Sequence, residues 1–385
     1  MPPTRLDVRP EMLRWARDRA GLTLAELARQ FPKLGAWESG ALGPTMRQLE
    51  AYARATRTPV GFFFLQSPPT EQLPIPDFRT IADQPLRTPT PDLLDTIYSC
   101  EQRQEWFRGY AEAQGLEPVL FVGAWTLADD PLDVAAALRD QLGFGLDRRA
   151  EFPTWTQAVE KLREQTEAAG VLVMINGVVG TNSHRKLDPQ EFRGFSLVDP
   201  LAPLIFINGA DTKAAQVFSL AHELAHQALG GSGVSRPDLA ALSGDSHTER
   251  WCNQVAAELL VPIDSVRDAF DANAGLSDEL QRLARLYKVS TLVILRRILD
   301  AGLISRSLFR EAYDTELRRI MALAAERASG GNFYTTHPIR VSKRFASALI
   351  ADTLEGRTLY GEAFRLLGFK KTSAFEELSH RLGVA

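Results

Sequence analysis

Apolar positions Met12, Leu13, Trp15 and Ala16 recur at helical spacing and stop at Gly21, which predicts a first helix. Thr23 and Glu26 stand at capping-box spacing, with Leu22 and Leu27 as the hydrophobic staple, so a second helix follows from residue 24 to about 30. Pro32 opens a third that ends near Gly40, and Thr45 caps a fourth that runs to Ala55. The stretch QSPPTEQLPIPDFRT, residues 66–80, is punctuated by proline and reads as extended. A long polar-faced helix is expected over 91–115. Three apolar runs, 171–176, 192–199 and 204–208, are bounded by Gly, Asn and Pro and read as short strands. Asp199, Asn208 and Asp211 close these runs as turn formers rather than ligands. Residues 212–229 and 248–260 read as helices, the second ended by Pro262. Residues 280–305 and 356–382 each read as two helices joined by a turn, at 288–290 and at Gly368.

Strands grouped ahead of helices, rather than alternating with them, indicate a mostly helical α+β chain with a small three-stranded sheet. The expected organisation is a helical module at 1–65, a proline-rich linker at 66–90 and a helical connecting region at 91–165. A core at 166–275 and a helical C-terminal region at 276–385 complete it. At 385 residues, 45% apolar and 24% charged, the chain is neither disordered nor fibrous. Two cysteines, Cys100 and Cys252, cannot staple a disulfide scaffold, and no run approaches 18 apolar residues. A cytoplasmic protein with no membrane contact is expected.

The net charge of −4 is unevenly spread. Residues 1–65 hold ten Lys/Arg against six Asp/Glu, a balance of +4 that admits nucleic acid as a partner. The segments LTLAELARQ, AWESG and PTMRQLEAYA, within residues 13–63, resemble the phage-repressor-type (XRE-like) helix-turn-helix family. That resemblance implies DNA binding through residues 1–65. Between Thr23 and Trp37, however, the chain is about one helical turn shorter than the family pattern, at the start of the recognition helix. Lys33 and Trp37 are the side chains left for contact with DNA or a partner protein.

The chemistry concentrates in AHELAHQAL, where His222, Glu223 and His226 fit H-E-x-x-H. Four residues advance a helix by about 6 Å and only about 40° beyond a full turn, so both imidazoles leave one face. Such a pair can share a Zn²⁺, with bonds of about 2.0–2.2 Å. Glu223 lies about 100° round the helix, near the metal, where it can take a proton from an attacking water. With six His and 25 Glu in the chain, an accidental match is expected on the order of 0.006 times. The metzincin continuation is excluded, because its Gly and third His positions hold Leu229 and Ser232.

A third ligand must come from elsewhere. The next donors are Asp245, His247 and Glu249. Glu249 as ligand, with Asn253 one turn later as hydrogen-bond partner to a ligand histidine, is the economical choice, and His247 is the rival. Together AHELAHQAL and ERWCNQVAAELLVP resemble the ImmA/IrrE metallopeptidase family over about residues 170–262. The resemblance implies a gluzincin-like endopeptidase core. His222, His226 and Glu249 would then bind the metal, Zn²⁺ or alternatively Mn²⁺, and Glu223 would be the catalytic residue. It also implies a protein substrate: a helix-turn-helix repressor or antitoxin-like regulator cut in a stress or mobile-element response. The alternative is a DNA-binding regulator or antitoxin-type protein whose peptidase core is inactive or senses metal.

Overall fold

The computed structural model describes residues 4–77, 89–149, 152–235, 247–325 and 340–384. The chain divides into two compact units, one of residues 1–74 with 86–97, the other of 75–85 with 98–385.

In the first unit, helices α1 (Pro10–Arg19), α2 (Leu24–Ala28), α3 (Leu34–Glu38) and α4 (Met46–Ala55) are followed by a short 3₁₀ turn at Val60–Phe64. The Thr23–Glu26 capping box forms: Glu26 N–H donates to Thr23 Oγ1 at 3.3 Å and Thr23 N–H to Glu26 Oε2 at 2.7 Å. Met12, Leu13 and Ala16 of α1 are buried with Leu49 and Tyr52 of α4. Tyr52 sits against Phe31, Trp37 and Phe63, and its hydroxyl donates to Leu13 O at 2.8 Å. Trp37 is 2% exposed, so its ring cannot make the surface contact expected of it. It belongs to the apolar face that also carries Phe31 and Leu34, positions spaced by three. Lys33 is exposed.

The second unit takes up most of α5 (Pro91–Ala113) and continues with α6 (Pro131–Leu142), α7 (Leu146–Arg149) and α8 (Trp155–Ala168). Strands β1 (Leu172–Asn176), β2 (Gly194–Leu197) and β3 (Leu204–Asn208) precede helix α9 (Lys213–Leu229). A fourth strand, β4 (Gly233–Ser235), follows α9, so among the described residues the sheet has four strands rather than three. Three residues are too few to show a period of two, which is why the pattern does not announce it. Helices α10 (His247–Leu260), α11 (Ile263–Ala269), α12 (Leu276–Tyr287), α13 (Thr291–Asp300) and α14 (Arg306–Ala325) come next. Helices α15 (Lys343–Leu354), α16 (Tyr360–Leu367) and α17 (Thr372–Leu382) close the chain. Among the described residues, no helix is long and apolar enough to cross a membrane.

Strand order is β1-β3-β2-β4, with β1 parallel to β3 and β2 antiparallel to both its neighbours. Asp199, Asn208 and Asp211 form turns: their Oδ1 atoms accept from Leu201, Ala210 and Thr212 backbone N–H groups. Thr212 caps α9 by accepting from Ala215 N at 3.2 Å, and Gly230, at φ 73°, ends it. Between these stops, Val217, Phe218, Leu220, Ala221, Leu224 and Ala225 join one core with Val173, Ile205 and Ile207 of the sheet and Trp251, Val255, Ala256 and Leu259 of α10. Gln227 ties helix to sheet. Its Nε2 reaches Ser196 Oγ at 2.8 Å, Leu204 O at 3.0 Å and Leu197 O at 3.2 Å.

Candidate metal centre

His222, Glu223 and His226 lie on α9 and are fully buried. Residues four apart share a helix face, and this one points toward α10, which packs along α9 and delivers Glu249 from its first turn. His222 Nε2 and His226 Nε2 stand 3.1 Å apart. Glu249 Oε2 is 3.2 Å from His222 Nε2, and Glu249 Oε1 is 3.0 Å from His226 Nε2. Three donor atoms from three side chains therefore converge on one point, within 4.8 Å of one another.

The donors fit a metal ion. Around a tetrahedral ion with bonds of about 2.0–2.2 Å, neighbouring ligand atoms stand about 3.3–3.6 Å apart, close to the spacing found. Two imidazoles and one carboxylate form the N₂O set of open, three-ligand zinc sites. Without a cation or protons between them, lone pairs buried this close together would repel one another.

Glu223 leaves the same helix beside this cluster. Ser235 of β4, itself fully buried, donates its hydroxyl to Glu223 Oε1. Glu223 Oε2 is shielded from solvent and has no hydrogen-bond partner among the described residues. Burial pushes the Glu223 carboxyl up to about 8, against the opposing pull of His226 and the Ser235 hydrogen bond. Burial works on Glu249 in the same direction, but the facing imidazoles of His222 and His226 outweigh it and hold its carboxyl at about 2. Two carboxyl groups on adjacent helices thus have opposite tendencies, one to stay an anion and one to carry a proton near neutrality.

Of the other candidates, His247 opens α10 on an exposed turn, outside the cluster that Glu249 completes. Asp245 lies outside the described residues. Asn253 does follow Glu249 by one turn on α10, but its Oδ1 accepts no hydrogen bond and His222 Nδ1 has no partner. Among the described residues, no hydrogen bond therefore links Asn253 to His222. One helical turn carries position 253 about 6 Å beyond the level at which α10 meets the two rings.

Two residues were not anticipated. Ser235 reaches Glu223 from β4, and Gly194 of β2 lies under the same carboxylate. The signal for the second was available: a glycine inside a strand often marks a close approach by another group.

Residues 166–299 match the family model of the IrrE N-terminal-like domain, a peptidase family. The matched segment contains β1–β4, α9–α12 and most of α13, hence all of the residues around the cluster. It is about a third of the chain. Residues 341–381, covering α15, α16 and most of α17, match a domain of unknown function. Among curated proteins no match is found.

Proposed function

We propose that the chain is a metal-dependent endopeptidase that cuts a cytoplasmic regulatory protein, a helix-turn-helix repressor or an antitoxin-like regulator, in a stress or mobile-element response. The observation that carries this reading is the convergence of His222, His226 and Glu249 beside a Glu223 carboxylate with one free oxygen. The match to a peptidase family model over the same residues supports it.

His222, His226 and Glu249 would hold the ion, Zn²⁺ by preference for this donor set, with Mn²⁺ also accommodated. When bound, a divalent cation supplies a Lewis acid that polarises a peptide carbonyl and acidifies an attacking water. The protein's own work falls to Glu223. With Oε1 held by Ser235, the Oε2 atom of the ionised carboxylate accepts the proton of the water and then gives it to the departing amine. Its buried surroundings raise its proton affinity, which suits a group that must both take and return a proton. Exclusion of water by the α9–α10 core keeps that exchange local. DNA contact through residues 1–65 is a secondary role in this reading.

The test compares wild type with Glu223→Gln, each loaded with one equivalent of Zn²⁺, for new protein N-termini in a soluble extract of its own cells. A repressor fragment produced by the wild type and missing with the variant is the expected result. Identical N-terminal profiles from the two proteins would refute the reading.

A further inference from the structure

The outermost strand of the sheet, β4, has one edge on β2, through Gly194↔Ser235, Phe195↔Val234 and Ser196↔Gly233. Its other edge would be open, a row of backbone groups that any extended chain can join. It is not open. Val234 N–H donates to Pro76 O at 2.9 Å, and Asp77 pairs with Val234 in the parallel sense. Pro76 and Asp77 belong to the proline-punctuated stretch that the sequence marks as extended.

The position of this pairing gives it meaning. Ser235, the residue next to Val234, is the one that holds Glu223. A backbone hydrogen-bonded to β4 lies about 4.8 Å further out, one strand spacing from the strand that carries Ser235. The opposite edge of the sheet is β1, separated from β4 by β3 and β2. An extended polypeptide that joins the sheet beside Glu223 must therefore use the edge that residues 76–77 now fill. The occupant is also short of backbone donors. Proline at 74 and at 76 removes backbone donors, and between described residues a single bridge joins the segment to β4.

We propose that Ile75–Asp77 is a built-in strap that occupies the substrate edge of β4, and that an extended protein substrate binds by displacing it. This rests on the peptidase reading above and names how its site is regulated. Adding a strand to a sheet edge is a general way for proteins to take up extended peptides, and it depends on backbone pairing more than on sequence. The strap competes for that pairing from within the chain.

The experiment uses the full-length protein with Asp77→Cys and Val234→Cys. Bridge partners on adjacent strands have Cα atoms about 5 Å apart, within the span of a disulfide. The native Cys100 and Cys252 are buried and do not compete. The probe is fluorescein-labelled β-casein, an unfolded protein chain. Its binding is read by anisotropy in a Glu223→Gln background, and its cleavage with Glu223 in place. With the disulfide closed, binding should weaken at least tenfold relative to the same protein reduced by a phosphine. A second variant, Ile75→Gly with Asp77→Gly, loosens the strap without touching β4 and should bind three- to tenfold tighter than the wild-type strap. It decides the matter alone if the cysteine pair does not fold. Equal binding by closed, reduced and loosened forms overturns the proposal, as does no binding by any of them. Binding that follows the strap while casein stays uncut with Glu223 in place leaves the strap standing and counts against the peptidase reading.

Discussion

Gly194 and Glu223 are fitted to one another: a Cβ built on Gly194 would stand 2.8 Å from Glu223 Oε1 and 3.2 Å from its Cγ. The same Cβ would meet Phe206 O at 3.0 Å, so the strand cannot retreat toward β3 to make room. Gly194→Ala should therefore push the carboxylate off Ser235 while leaving His222, His226 and Glu249 in place. Cleavage should fall by roughly 10²-fold, within the range that a general base contributes. Bound metal, measured by elemental analysis, should remain at one per chain. A variant that cuts at the wild-type rate would show that Glu223 is not the proton carrier.

Metal binding should be separable from proton transfer. His222→Ala removes one of three donors and should abolish stoichiometric metal, whereas Glu223→Gln should keep it. Chelation should also destabilise the wild type. An ion present at about 100 times its dissociation constant contributes about 2.7 kcal/mol. Thermal unfolding with and without chelator should thus differ by several degrees for wild type and hardly at all for His222→Ala. Full metal content in His222→Ala would sink the ligand assignment.

Neither thiol should react in the folded chain. Burial pushes Cys100 up to about 12, and it raises Cys252 well above the ordinary range, helped by the carboxylates of Glu249 and Glu223. A disulfide reagent at neutral pH should release no colour from native protein and two equivalents after denaturation. Prompt native labelling of one thiol would contradict the packing around α5 or α10.

The N-terminal unit is expected to be a poor reader of DNA sequence. Trp37 is spent on the core, which leaves Lys33 as the exposed candidate in that stretch. With a balance of +4, binding should rest on phosphate contacts, steep in salt and typically at 10⁻⁴–10⁻⁶ M. Titration of the full chain against its own promoter and an unrelated duplex at physiological salt checks this. A thousandfold preference for the promoter would reverse the assignment.

What the sequence disclosed and what it hid follow one physical divide. His222, Glu223 and His226 were legible because a single helix fixes their spacing. The capping box at Thr23 and the stop at Gly230 are local in the same way. Ser235 and Gly194 meet Glu223 across 12 and 29 residues of chain, through strand register, and a three-residue strand carries no periodic signal. Asn253 was read from helical spacing alone, but hydrogen bonding also depends on where two helices cross. Trp37 was read as a contact from its place in a motif, although its three-residue spacing from Leu34 and Phe31 already marked it as core.

The amide clamp of Gln227 also bears on how this protein could be re-engineered. Because one side chain serves Ser196, Leu197 and Leu204 at once, α9, β2 and β3 form a single mutational block. Replacing Gln227 by Glu would aim a carboxylate at two carbonyl oxygens, and replacing it by Leu would take one donor from each, although Gln104 Nε2 would still reach Leu197 O. A directed-evolution library that varies this position would therefore return mostly destabilised clones. New selectivity would have to be sought in β4 and the segment that pairs with it, where side chains can change without breaking that block.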